Sequence, residues 1–217
     1  MNHFLHHKDW DEDKEYSLLI KGSKAVRAAE DDAGLSDSGL DHTPLCINLN
    51  YDFYSWFKPI TGGYPKLKQY ILDLLEGGAE LDMIGLDYYP KTWSWHNVED
   101  LMTILKKLGR DFGMQTSHKK RIILAETGYS TWFIWTCKGQ KKYYKRLTEL
   151  MADYYNNGGK TRGFRGVVWY NFMSSDKYDY VPHEKHFGVI RRKDDGTVEL
   201  TKLAWKWMKE NQGLPPW

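Results

Sequence analysis

Apolar residues along this chain recur at two spacings in turn. Between residues 16 and 31 they fall three and four apart: Leu18, Leu19, Gly22, Ala25, Val26 and Ala29 trace one stripe, with Lys21, Lys24, Arg27 and Glu30 opposite. That spacing predicts an amphipathic helix. A polar stretch from Asp32 to Thr43 follows, and Pro44 opens the short run Leu45-Cys46-Ile47-Asn48-Leu49-Asn50. Short runs of this kind, bounded by loop residues, predict strands. The pattern then alternates. A helix is expected from Pro65 to Glu76, with proline in its first turn and Gly77-Gly78 at its end. A strand follows over Asp82–Tyr89, then a helix from the N-cap Asn97 to near Gly113. The apolar run Ile122–Ala125 leads into Glu126, and the helix after it runs from Lys141 to Tyr155 before Asn156-Asn157-Gly158-Gly159. The last strand is expected over Gly166–Phe172, then a long loop to Val189 and a final helix over Leu200–Asn211.

The order is one helix and then four strand–helix units, with strands beginning near residues 45, 82, 121 and 164. Alternation at this spacing implies a parallel sheet with right-handed crossovers. The fold class is α/β, a partial (β/α)8 barrel of about four parallel strands with outer helices. A whole barrel takes about 250 residues, and the 217 residues here read as one unit, 1–217, carrying half the strands.

In such barrels chemistry gathers at the carboxyl ends of the strands. Those ends here carry Asn48, Asn50 and Asp52, then Asp87 and Tyr89, then Glu126, then Trp169 and Asn171. Strict alternation puts Ile122, Leu124 and Glu126 on one face, and Gly85, Asp87 and Tyr89 on one face. With Glu126 inward, the phenol of Tyr89 on the neighbouring strand can donate to its carboxylate. That bond would hold Glu126 ionised and oriented, as a carboxylate nucleophile requires.

Composition narrows the partners. A formal net charge of +2 gives no electrostatic reason to expect nucleic acid or an anionic membrane. Ten Trp and fifteen Tyr suit stacking on the faces of sugar rings, and equally ordinary core packing. Cys46 reads as a buried reduced thiol. With Cys137 it forms no disulfide framework or Cys-x-x-Cys site. His183-Glu184-Lys185-His186 and the cluster His3, His6 and His7 lack zinc spacing, so no metal is expected. Lys138–Arg146, with Tyr143 and Tyr144 interleaved, reads as a solvated helix face. No phosphate or dinucleotide loop is present, and no cofactor is implied. No apolar run approaches the roughly 20 residues of a membrane span.

Three strand-end motifs then meet a known pattern. Ile122-Ile123-Leu124-Ala125-Glu126-Thr127-Gly128-Tyr129 resembles the nucleophile strand of the clan A (β/α)8 retaining glycoside hydrolases. Asp82-Met83-Ile84-Gly85-Leu86-Asp87-Tyr88-Tyr89-Pro90 resembles the sixth strand of that clan, with Tyr89 at the position of the tyrosine that bonds the nucleophile. Trp169 resembles the eighth-strand tryptophan under the cleaved sugar. Within the clan the pattern is nearest the endo-β-1,4-galactanase family, with family-1 and family-5 β-glycosidases close beside it. The resemblance spans essentially all of the chain and implies strands five to eight. It implies Glu126 and Tyr89 as catalytic residues, and Trp169, Asn48, Asn50, Asp87 and Trp93 as substrate contacts. Strand-end asparagines also serve to satisfy loop backbone, and Trp95 joins Trp93 as a candidate for outer subsites.

The departure from the pattern is the second carboxyl group. Retaining glycosidases hold two about 5 to 5.5 Å apart. In the clan the acid/base closes strand four, ahead of a helix like residues 16–31, so the expectation is that it lies upstream of Met1. Glu184 is the one loop carboxylate to weigh as a substitute. Two readings follow: the nucleophile half of a β-glycan hydrolase, inactive by itself, or a non-catalytic carbohydrate-binding remnant. The expected partner is an oligosaccharide or polysaccharide, and open barrel edges favour a homodimer. The N-terminus lacks a signal-peptide core, which as written reads as cytoplasmic, with a secreted parent protein as the alternative.

Overall fold

The computed structural model describes residues 12–35, 42–51, 63–89, 97–131, 136–170, 173–175, 186–188, 190–193, 195–199 and 203–211. Helix α1 (Glu12–Asp32) leads into strand β1 (Cys46–Asn50). Three strand-linking helices follow: α2 (Gly63–Glu76) before β2 (Met83–Asp87), α3 (Val98–Phe112) before β3 (Arg121–Thr127), and α4 (Cys137–Tyr154) before β4 (Phe164–Trp169). The four strands form one all-parallel sheet in sequence order. Each is linked to the next by a helix, the connection parallel strands need.

The helices sit where local chemistry allows. Asn97 caps α3 by accepting from the Asp100 amide, and the Asp100 side chain reaches back to the Asn97 amide. Thr136 caps α4 by accepting from the Gly139 amide. In α3 the buried positions Leu101, Leu105, Leu108 and Phe112 recur at helical spacing. Together with Leu67, Ile71 and Leu74 of α2 and Tyr144, Leu147 and Met151 of α4, they pack on Ile47, Leu49, Ile84, Leu86, Ile122, Leu124 and Phe164. The core therefore lies between the sheet and its helices. The other face is open: Cys46 and Asn48 are exposed on it. A methyl group on Gly85 would lie 2.9 Å from the Ala125 Cβ and 3.0 Å from the Cys46 Sγ, so these residues share that face. Cys46 is thus a free, exposed thiol rather than a buried one.

Helix α1 departs from its sequence pattern. Leu18 and Val26 stay 57% and 41% exposed, and Gly22, Ala25 and Ala29 face outward with them. What α1 turns inward is Tyr16, Leu19 and Ile20, with Ser23 and Glu30 buried. The cause is ionic. Arg27 bonds Glu30 at 2.7 Å, the Thr43 carbonyl at 2.8 Å and the Asp82 carboxylate, while Asp82 accepts the Leu45 amide at 2.8 Å. This clasp fixes α1 to the amino-terminal ends of β1 and β2. The Arg27 guanidinium, followed by Thr43 and His42, holds the Glu30 carboxyl down at about 2.

A further difference lies beyond β4. Part of the expected loop forms β5 (Met173–Ser175), which pairs in parallel with β6 (Ile190–Arg192), and β6 pairs antiparallel with β7 (Val198–Glu199). The last helix, α5 (Leu203–Glu210), lies within the expected span and buries Ala204; the expected start at Leu200 lies outside the described residues. No helix among the described residues is long and apolar enough to cross a membrane.

Candidate active site

The carboxyl ends of β1, β2 and β3 meet in one rung. Asn50 pairs with Asp87, and Asp87 with Glu126. Asn48 lies one pleat lower, opposite Gly85, and is exposed on the open face. Tyr89, two residues past Asp87, donates its phenol to Glu126 Oε2 at 2.7 Å.

Glu126 reaches this position by a route that strict alternation misses. Ile122 and Leu124 are buried against the helices, and an unbroken strand would send Glu126 after them. The register shifts instead: Leu86 pairs with Leu124, but Asp87 pairs with Glu126, which leaves Ala125 as an extra residue. Such a bulge places two successive side chains on one side and re-aims the second. Ala125 and Glu126 both face the open side, and Thr127 returns to the helices, where it is fully buried. The shared face proposed for Ile122, Leu124 and Glu126 is therefore corrected, and the bulge is the reason.

The backbone around the bulge is held from both sides. The Tyr88 amide donates to the Glu126 carbonyl at 3.0 Å, and the Tyr170 amide to the Thr127 carbonyl at 2.7 Å. The Thr127 hydroxyl donates to the Tyr88 carbonyl at 2.7 Å and also bonds the Tyr143 phenol. Gly128 lets the turn pass β4: a methyl group there would lie 1.7 Å from the Tyr170 carbonyl oxygen.

Tyr89 is 7% exposed. Burial pushes its pKa far above the usual tyrosine value, and the negative charges of Glu126 and Asp87 push the same way. The phenol is therefore a protonated donor at any ordinary pH. Glu126 is only partly buried, so a ligand on the open face can reach it. Around Tyr89 stand two rings that sequence reasoning overlooked. Tyr170 packs edge-on with centroids 5.9 Å apart, and Phe187 at 5.3 Å. Alternation after Trp169 points to Tyr170; nothing local in the sequence marks Phe187.

Trp169 pairs with Thr127 and packs edge-on against the wholly buried Tyr144 of α4 at 4.7 Å, its own side chain being partly buried. That contact turns it toward α4. Trp93, Trp95, Asn171, Asp52, Glu184 and the His3, His6 and His7 cluster lie outside the described residues. Lys138, Lys142 and Lys145 of α4 are exposed, while Tyr143 and Tyr144 between them are buried. No group of three His, Cys, Asp or Glu side chains among the described residues could hold a metal ion.

A parallel sheet covered by helices on one face, with polar residues gathered at its carboxyl ends, defines a partial (β/α)8 barrel. No protein-family model matches the chain, and no curated protein is similar in sequence. Solved structures are similar in fold. They include the family 1 β-glucosidase from Thermotoga maritima, at 13% identity and a TM-score of 0.56, covering 92% of this chain and 56% of that one. The same enzyme in complex with isofagomine lactam matches at 16% identity and a TM-score of 0.59, again over 92% and 56%. Its castanospermine complex matches at 14% and 0.57, over 93% and 56%. At these identities the likeness is one of fold. The chain spans a little over half the length of the structures it matches.

Proposed function

We propose that this chain is the nucleophile-bearing part of a retaining glycosidase barrel acting on a β-linked glycan, its four strands standing as strands five to eight. Glu126 Oε1 attacks the anomeric carbon and forms a glycosyl ester, while the bond to the leaving oxygen breaks. A second carboxyl group, carried by (β/α) units outside this chain, gives that oxygen its proton. The same carboxylate then takes a proton from water, which attacks the anomeric carbon and releases Glu126. Tyr89 orients Glu126 through Oε2, Asn48, Asn50 and Asp87 bind hydroxyls, and Tyr170 lines the site. Trp93 is retained as an outer contact by resemblance.

The observation that carries the reading is the 2.7 Å bond from the Tyr89 phenol to Glu126 on the open rim. It gives the carboxylate a fixed direction with, among the described residues, no cation bonded to it. Asp87 does not serve as the second group: it is buried beside Glu126 on the same rung, whereas the acid must stand on the leaving-group side. The test joins this chain to the preceding half barrel and treats the product with a 2-deoxy-2-fluoro-β-glycoside. The expected result is a covalent sugar on the peptide containing Glu126; a sugar on another residue would sink the reading.

The second reading is a non-catalytic carbohydrate-binding remnant, in which the polar strand ends around Glu126 bind sugar without turnover. The chain alone is expected to be inactive on aryl β-glycosides in either case. Binding of oligosaccharide without turnover in the joined barrel, detected by titrating tryptophan fluorescence, would favour the remnant.

A further inference from the structure

We infer that Gln140, on the outer helix α4, is a positioning residue for the Glu126 carboxylate, acting through Phe187 and Tyr89; this rests on the reading of Glu126 as nucleophile. Gln140 is wholly buried. Its side-chain nitrogen donates to the Tyr129 carbonyl at 2.9 Å and to the Phe187 carbonyl at 2.9 Å, with the Gly188 carbonyl at 3.5 Å. Beside it, the amide and the hydroxyl of Thr131 both donate to the His186 carbonyl at 3.1 Å. Residues 186–188 are thereby sewn to the turn that follows Glu126.

The consequence appears at the rim. Held this way, the fully buried Phe187 ring packs edge-on against Tyr89 at 5.3 Å and against Tyr170 at 5.6 Å. The ring keeps water from the Tyr89 phenol, and in a dry setting the phenol–carboxylate bond is stronger and more directional. The chemistry of the position suits an amide. Two carbonyls from separate segments need two donors, which one NH₂ group supplies without bringing in a charge. A glutamate would turn lone pairs on those carbonyls, and a lysine would bury a cation. An apolar side chain would leave the carbonyls unpaired.

The test uses the full chain labelled with [ζ-¹³C]tyrosine, the Tyr89 signal being identified by its loss in Tyr89→Phe. In the unsubstituted chain the signal should hold its protonated position to about pH 12, beyond the ordinary tyrosine range. In Gln140→Met it should move to the ionised position at least about one pH unit earlier, as partial rehydration requires. Phe187→Leu should do the same, and the double variant should go no further than either single one. A Gln140→Met chain that melts earlier but leaves the Tyr89 titration in place would reduce Gln140 to a structural staple and overturn the inference. Where Gln140→Met does not fold, an unchanged titration in Phe187→Leu overturns it instead. The nucleophile reading fails separately, through retained turnover of Glu126→Gln in the joined barrel, which leaves the titration result standing.

Discussion

Asp82 and Glu126 are carboxylates at opposite ends of the same sheet, and their surroundings differ in kind. Asp82, below β2, is bonded by the Arg27 guanidinium and by the Leu45 amide, within a network that also takes in Glu30, Thr43 and His42. Glu126, at the top of β3, is reached among the described residues by one neutral phenol. A carboxylate neutralised by a cation holds helices to strands but makes a poor nucleophile. One oriented by a neutral donor keeps its charge available for an electrophile. The lower end of the sheet is locked by ion pairs, and at the upper end, among the described residues, a neutral donor alone holds the carboxylate.

The contrast can be broken at several points, taken here from the largest effect downward. In the joined barrel, Glu126→Gln should cost about a thousandfold or more in turnover, as removal of a nucleophile does, and leave the melting temperature nearly unchanged. Asp82→Asn should do the reverse, lowering the melting temperature and sparing turnover. Steady-state rates and thermal scans on both variants decide between this and a shared structural role. Gly128→Ala forces a methyl group into the Tyr170 carbonyl and should destabilise by at least about 3 kcal/mol in urea unfolding. Tyr89→Phe keeps the ring and removes the donor, so kcat should fall about 10- to 100-fold, with little change in unfolding midpoint. Trp169→Phe should cost about 1 kcal/mol of stability and leave sugar affinity within about twofold; a larger loss of affinity would place Trp169 in the site.

The smallest effect is a pH dependence of the lower end. Glu30 is held at about 2, chiefly by Arg27, and Asp111 at about 2, chiefly by Arg110 with help from Lys68 and Tyr64. Folded values below the unfolded ones mean that these groups add stability above the ordinary carboxylate range and lose it as pH falls toward 2. Urea midpoints should therefore drop between about pH 4.5 and pH 2, and Glu30→Gln should flatten that drop. An unchanged slope in Glu30→Gln would place the acid sensitivity elsewhere.

Much of the fold is legible in the pattern of the chain because each strand–helix unit repeats the same burial problem. Ile47 and Leu49, Ile84 and Leu86, Ile122 and Leu124 all turn toward helices whose apolar positions recur at helical spacing. Asn97 announces the start of α3 by its own chemistry, whereas α4 begins at Cys137 under the Thr136 cap, ahead of the Lys141 start that the pattern predicts. Helix α1 was misread because periodicity records which residues are apolar and not where the ionic partners lie; Arg27 and Asp82 are 55 positions apart. The chemistry of Glu126 and its bond to Tyr89 could be anticipated from strand ends alone. The extra residue at Ala125 could not, since a bulge is a property of pairing between two strands. Trp169 comes to the site only by resemblance, and its packing on Tyr144 is a contact between segments that the sequence pattern does not show. Phe187 and Gln140 were invisible for the same reason as the clasp: a carbonyl 47 residues away leaves no local mark.

That bulge has a genetic corollary. Deleting the Ala125 codon would leave Leu124, the carboxylate and the threonine in plain alternation, so the acid would keep to the open rim while the irregularity itself vanished. The translated product can shed that letter and still present its acid outward. What heredity must guard in this strand is the pairing of the carboxylate with Asp87, and not the number of letters before it.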